Sequence, residues 1–229
     1  GVELAQALEE SEAVTTFVEG IFKAASPELE DKDLTVRALL ERSRGSIDES
    51  FADSSRISSR LHLTIANAFD AVGAPETSIF HAMRAHELRA SDPKVDPVLL
   101  SESQIFYGEV LSAAGRSEEA LGILAAGLAG EPDAPMRARY ILQLARNEKN
   151  RGDLVAAHAW LDRMAKLASE TDLPETTRVD AVNLRAILFA RAGNIQEAMG
   201  GFEEVLAWRL TELGGDHPLA LDSRSNLAT

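Results

Sequence analysis

A spacing that recurs four times constrains this 229-residue chain more than any single motif. A small residue on an apolar stretch is followed seven positions later by glycine, and five positions after that by a second small residue. The four copies are Ala66, Gly73 and Ser78; Gly108, Gly115 and Ala120; Ala145, Gly152 and Ala157; and Ala186, Gly193 and Ala198. The glycines lie 42, 37 and 41 residues apart, too far for a coiled-coil heptad and within range for a supersecondary unit that stacks on copies of itself. Each glycine is placed to end a helix in the left-handed backbone conformation, which a residue without Cβ adopts at little steric cost. The flanking small residues let two helices approach closely. The unit read from this pattern is a helical hairpin.

Proline supplies the other punctuation. Pro97, Pro135, Pro174 and Pro218 each stand just before an apolar-periodic stretch, where a missing N–H is harmless and the fixed φ suits a first turn. Asp96 is placed as an N-cap. Helix pairs are predicted at 57–72 and 76–90, 97–114 and 117–129, 135–151 and 153–169, and 174–192 and 195–213, with a further first helix opening at Pro218. No strand alternation competes with this reading. A 45% hydrophobic content supplies a core and argues against disorder. The absence of cysteine excludes disulfides, thiolate metal sites and cysteine nucleophiles.

Residues 1–56 lack the repeat. Val14, Phe17, Val18, Ile21 and Phe22 form one apolar helical stripe, and Val36, Leu39, Leu40 and Ile47 form another after an acidic loop. The expected organisation is an N-terminal linker helix and capping helix over 1–56, then four hairpins and the start of a fifth over 57–229. The N-terminus shows neither a basic n-region nor an apolar signal core, and the chain reads as a piece cut from a longer one.

The small-glycine-small pattern resembles the tetratricopeptide repeat (TPR). The last unit, with Leu213-Gly214-Gly215-Asp216-His217-Pro218 leading into Ala220 and Asn226-Leu227-Ala228, is similar to the longer variant of kinesin light chains and many bacterial proteins. The third unit departs from it, with Glu148 and Met164 where the family places an aromatic and a small residue. The resemblance implies an all-α, right-handed TPR-like superhelical solenoid of hairpins behind a two-helix N-terminal cap, acting as a protein-protein interaction module. The stretch 17–42 resembles the segment that joins the membrane helix of large bacterial serine/threonine protein kinases to their C-terminal TPR arrays. That resemblance implies a sensor or scaffold region of such a kinase, on the extracytoplasmic (periplasmic) side of the membrane. The alternative is the effector region of a TPR-containing transcription regulator, which would be cytoplasmic.

The chemistry expected of these residues themselves is none. The Gly-rich loop, strand lysine and catalytic-loop motifs of a kinase are missing, as are the P-loop, H-E-x-x-H and G-x-S-x-G patterns. No catalytic residue, cofactor or metal is expected, whatever the activity of the parent chain. His81 and His86 stand five apart, about 140° around a helix, and cannot share a metal as an i, i+4 pair would. His62 and His158 lie among apolar residues, either filling a gap or forming a pH-sensitive contact. His217 helps to begin the last helix. Glu118, Glu119, Glu203 and Glu204 are expected to face water, and Phe106, Trp160, Phe202 and Trp208 to pack between helices.

The formal charge of -14 repels nucleic acid phosphate and anionic lipid. The longest small or apolar run, 121–130, is about half of a bilayer span. No nucleic acid and no membrane span are therefore expected; the TPR resemblance implies a protein or peptide partner. In the TPR family the first helix of each hairpin lines the concave face. Carried onto this sequence, that register nominates Arg60, Asn67 and Asp70, then Glu102 and Glu109, then Arg139, Gln143, Arg146, Lys149 and Asn150, then Asn183 and Arg191. Arg139, Arg146 and Lys149 recur at steps of seven and three and so share a helix face. They can clamp an acidic segment or a C-terminal carboxylate, or they form a solvated face balanced by nearby acids. The lysine and asparagine positions of the family's two-carboxylate clamp are not reproduced. At the other end, Leu219, Leu221 and Leu227 are expected to be exposed and to allow a dimer through the C-terminal helix.

Overall fold

The computed structural model describes residues 12, 15, 16, 47, 48 and 51 and the stretch 54–227. Among the described residues there are nine α-helices and no strand. They are α1 (Ser55–Ala71), α2 (Pro75–Ala90), α3 (Pro97–Ala113), α4 (Ser117–Ala129), α5 (Ala134–Arg151), α6 (Leu154–Glu170), α7 (Glu175–Arg191), α8 (Ile195–Glu212) and α9 (Pro218–Leu227). The chain forms two compact units, residues 1–110 and 111–229.

The four glycines of the repeat act as the sequence requires. Gly73, Gly115, Gly152 and Gly193 have φ of 69°, 78°, 86° and 81°. In every case the next residue donates its N–H back to the carbonyl five positions earlier: Ala74 to Phe69, Arg116 to Leu111, Asp153 to Glu148 and Asn194 to Phe189, at 2.9–3.0 Å. This is the Schellman arrangement, which satisfies carbonyls that a helix end leaves open. The following helix starts two residues after each glycine, at Pro75, Ser117, Leu154 and Ile195. Helix starts are fixed by side-chain caps as well, with Asp133 accepting from the Met136 N–H at 2.9 Å and Asp153 from Ala156 at 2.9 Å. Pro174 departs from expectation. It stands at the N-cap of α7 with ψ 135°, so the helix begins at Glu175, one residue beyond it.

In unit 1, α1 packs on α2. The Ser78 hydroxyl, fully buried, donates to the Ala66 carbonyl at 2.9 Å. The small pair thus carries a hydrogen bond as well as a close approach. Ile47 is fully buried against Leu61, Ile65 and Phe69, as its inward assignment requires. The other capping positions, Val14, Phe17, Val18, Ile21, Phe22, Val36, Leu39 and Leu40, lie outside the described residues.

In unit 2, α5 packs on α4, α6 and α7, and α7 packs on α8. Ala138, Ile141, Leu142 and Ala145 of α5 meet Leu161, Met164 and Leu167 of α6 and Leu184 and Leu188 of α7. Truncating a fully buried leucine such as Leu188 to alanine removes about 2–5 kcal/mol. The departures of the third unit are accommodated here: Met164 is buried in this core, and buried Glu148 pairs with Arg151 at 3.0 Å. Glycines set two further close approaches. A Cβ at Gly127 would overlap the fully buried Tyr140 ring, and one at Gly201 would lie 2.8 Å from the Ala186 Cβ.

Leu219 and Leu221 of α9 are 44% and 49% exposed, as expected. Leu227 is not: it is half-buried against the Ala186, Ala198 and Phe202 cluster, because α9 packs along α8 and turns its last residues inward. Phe202 is buried, whereas Phe106, Trp160 and Trp208 are half-buried. Arg163 stacks 4.2 Å from the Trp160 ring.

Candidate peptide-binding groove

The first helices of the third and fourth hairpins, α5 and α7, lie against one another. α5 turns Ala138, Leu142 and Ala145 into the core, which leaves Arg139, Gln143, Arg146 and Lys149 half-buried and Asn150 exposed. α7 turns Leu184 and Leu188 inward and carries Asp180, Asn183 and Arg191 at its less buried positions.

Three of the nominated cations converge. Arg191 donates to the Lys149 carbonyl at 3.2 Å, joining the ends of α5 and α7. Burial first, then the charges of Arg191 and Arg146, hold the Lys149 ammonium below its ordinary pKa. Arg146 lies 3.6 Å from one oxygen of Asp180, whose other oxygen is 3.9 Å from Arg209 of α8. The nearby acid that could balance the cluster is therefore Asp180, shared between two arginines. Asp180 carries one negative charge and shares it between Arg146 and Arg209, while the charges that act on Lys149 are those of Arg191 and Arg146, which leaves a local excess of positive charge around Lys149.

The remaining nominees are placed as follows. Arg139, two turns before Arg146, reaches the Met136 sulfur at 3.5 Å. Asn150 donates to the Ser112 hydroxyl at 3.1 Å, and the Asn183 Oδ1 is buried without a hydrogen-bond partner. In unit 1, Arg60, Asn67 and Glu102 line one cavity of about 790 Å³. Asn67 donates to the Leu63 carbonyl of its own helix at 2.8 Å. Asp70 and Glu109 are exposed on α1 and α3 and do not line that cavity. A second cavity, about 630 Å³ between α6, α7 and α8, contains none of the nominated residues.

Asp180, Arg89 and Arg209 were not nominated. The two arginines had a legible signal, since each follows its turn glycine by sixteen residues, yet both are buried, at 7% and 5% exposure. Among the described residues no group of three or more histidine, aspartate or glutamate side chains is disposed to hold a metal ion. Nor is any described helix long and apolar enough to cross a membrane.

A kinesin light chain-type protein of Podosopora anserina with nearly identical TPR-like repeats superposes on 76% of this chain and 84% of its own, with a TM-score of 0.55 and 22% identity. A point variant of it gives 0.56 over the same shares at 22% identity. The fold is a tetratricopeptide-like repeat array. BtubC (BKLC) from P. vanneervenii aligns with the array over 82% of this chain and 81% of its own, with a TM-score of 0.61 and 18% identity. No protein-family model and no curated protein matches the sequence.

Proposed function

We propose that the array is a non-catalytic protein-protein interaction module whose α5–α7 face binds an acidic segment or a C-terminal carboxylate. The observation that carries this reading is the cation cluster of Arg146, Lys149 and Arg191, in which Lys149 is half-buried and repelled by both arginines. An arriving carboxylate relieves that repulsion, and Arg146 and Arg191 offer it two-point hydrogen bonding. The overall charge of -14 does not prevent this, because exposed charges beyond a Debye length of about 10 Å are screened. Side chains held on packed helices lose little freedom on binding. Fluorescence anisotropy with a pool of acidic peptides tests the reading: binding to the wild type and its loss in Lys149→Glu are expected, while equal binding to both refutes it.

The parent chain, in this proposal, is a bacterial serine/threonine protein kinase, with the array sensing or scaffolding outside the cytoplasm. The support is the resemblance of residues 17–42 to the segment that precedes such arrays. The reading frame upstream of Gly1 tests it: a kinase domain followed by a membrane helix is expected, and a winged helix would overturn it.

Self-association through α9 is proposed as well, supported by exposed Leu219 and Leu221. Sedimentation should show a wild-type dimer that becomes monomeric on Leu219→Glu with Leu221→Glu; a wild-type monomer refutes it.

A further inference from the structure

Successive steps of the array fill the same registers with side chains of different size. Leu128 of α4 stands thirteen residues after its turn glycine, Tyr140 of α5 twelve before the next one, and Trp160 of α6 eight after that. Leu128 and Trp160 pack against the core of unit 2, and the Tyr140 ring is fully buried. One repeat on, these registers hold Ala165 of α6, Ala181 of α7 and Gly201 of α8. All three small residues line the cavity of about 630 Å³ between those helices. Met164, at the register of Gly127, takes back part of the space without filling it.

The cavity is a groove rather than a void in the core. α7 packs on both α6 and α8, and Val182 and Phe189 of α7 join Leu161 and Met164 of α6 in its apolar lining. An apolar groove walled by helices is the surface on which an amphipathic helix lays its own apolar face, with anchors at i, i+3, i+4 and i+7.

The charges on its rim are unequally matched. Arg178 is held by Asp172 at 3.0 Å and Glu175 at 3.8 Å, and Arg185 by Asp162 at 2.9 Å. Glu197 and Glu204 of α8, exposed residues of the lining, pair with no cation among the described residues. They stand seven residues apart, two turns and about 10 Å along one face of the helix. The unmatched charge of the rim is therefore negative and is spaced as the side chains of a helix lying alongside would be. Such a rim repels an acidic segment and attracts a basic one.

We propose that this groove docks a basic amphipathic helix of a partner protein. Its apolar side chains enter where Ala165, Ala181 and Gly201 leave room, and basic residues seven apart meet Glu197 and Glu204. The partner thus supplies in this repeat the bulk that Leu128, Tyr140 and Trp160 supply one repeat earlier. The groove shares no residue with the cation cluster of the α5–α7 face, and neither reading depends on the other.

Fluorescence anisotropy of the full chain with a labelled three-heptad peptide tests the proposal. The peptide carries leucine at the first and fourth positions of each heptad, lysine at the seventh and alanine elsewhere. It should bind, and versions with glutamate for lysine or alanine for leucine should bind at least about tenfold more weakly. Glu197→Lys with Glu204→Lys should weaken the lysine peptide by at least about tenfold, two attractions having become repulsions. Glu203→Lys with Glu212→Lys, the same change of charge on α8 away from the groove, should leave it unchanged, as should Lys149→Glu. Ala165→Trp, which fills the groove from an exposed position of its α6 wall, should abolish binding. No binding of the lysine peptide, equal binding of the leucine-free or glutamate peptide, equal loss in the two double variants, or full binding to Ala165→Trp would each overturn the assignment.

Discussion

The Nδ1 atoms of His62 and His81 lie 2.7 Å apart between α1 and α2, and both rings are fully buried. Such a contact requires one nitrogen to donate and the other to accept. Asp48 settles the direction: its Oδ1 is 3.3 Å from the His62 Nε2, and a carboxylate can only accept. His62 therefore carries its proton on Nε2 and accepts from His81. Arg84 holds Asp48 in turn at 3.1 Å. His62 thus fills the gap between α1 and α2 and is engaged through both ring nitrogens; its pH-sensitive reading is a prediction to be tested.

Stability should accordingly fall on acidification. Burial, outweighing the attraction of Asp48, pushes His62 below its ordinary value of 6.5, and burial does the same to His86. A depressed pKa means that the folded state binds fewer protons than the unfolded one. The stability these rings contribute is complete above pH 6.5 and is lost as pH drops below it, by up to about 1.4 kcal/mol per pH unit for each group. Thermal melts at pH 7.5, 6.5 and 5.5 should show a decreasing Tm, with a shallower fall in His62→Gln. A flat or rising Tm in the wild type would contradict the lowered pKa of His62 and His86.

Gly127→Ala should destabilise by roughly 1–3 kcal/mol, the usual penalty for overpacking. The new Cβ would overlap the ring of Tyr140, which is fully buried and has no room to retreat. Gly122→Ala on the same helix meets open space and should be neutral or slightly stabilising. Urea denaturation of the two variants makes the comparison.

At the turns the cost has another origin. A Cβ at Gly115 or Gly152 would touch nothing within 4 Å, so any penalty comes from the positive φ alone. Valine at either position should cost roughly 1–3 kcal/mol, and asparagine, which tolerates the left-handed region, much less. Equal stability of the valine and asparagine variants would show that the turns do not hold this conformation.

The architecture was legible because its determinants are local. A turn glycine and its flanking small residues act within a dozen positions, so Gly73 with Ala66 and Ser78 can be read from the sequence alone. The electrostatics were not, because they depend on which helices meet. Arg146 and Lys149 were found on one face of α5, but Asp180 reaches Arg146 from α7, thirty-four positions away in the chain. The burial of Leu227 is illegible for the same reason: its partners Ala186 and Phe202 belong to another hairpin. Arginine recurs sixteen residues after the turn glycine in only two of the four repeats, as Arg89 and Arg209, with Glu131 and Ala168 at that place in the others, too sparse a pattern to mark either as buried.

The central claim, that α5 and α7 form the ligand face, is tested most directly by amide chemical-shift mapping with an acidic peptide ending in a free carboxylate. The largest changes are predicted at Arg146, Lys149, Asn183 and Arg191, with α6 and α8 little affected. Changes confined to α6 and α8, or none at any peptide concentration, would contradict the account.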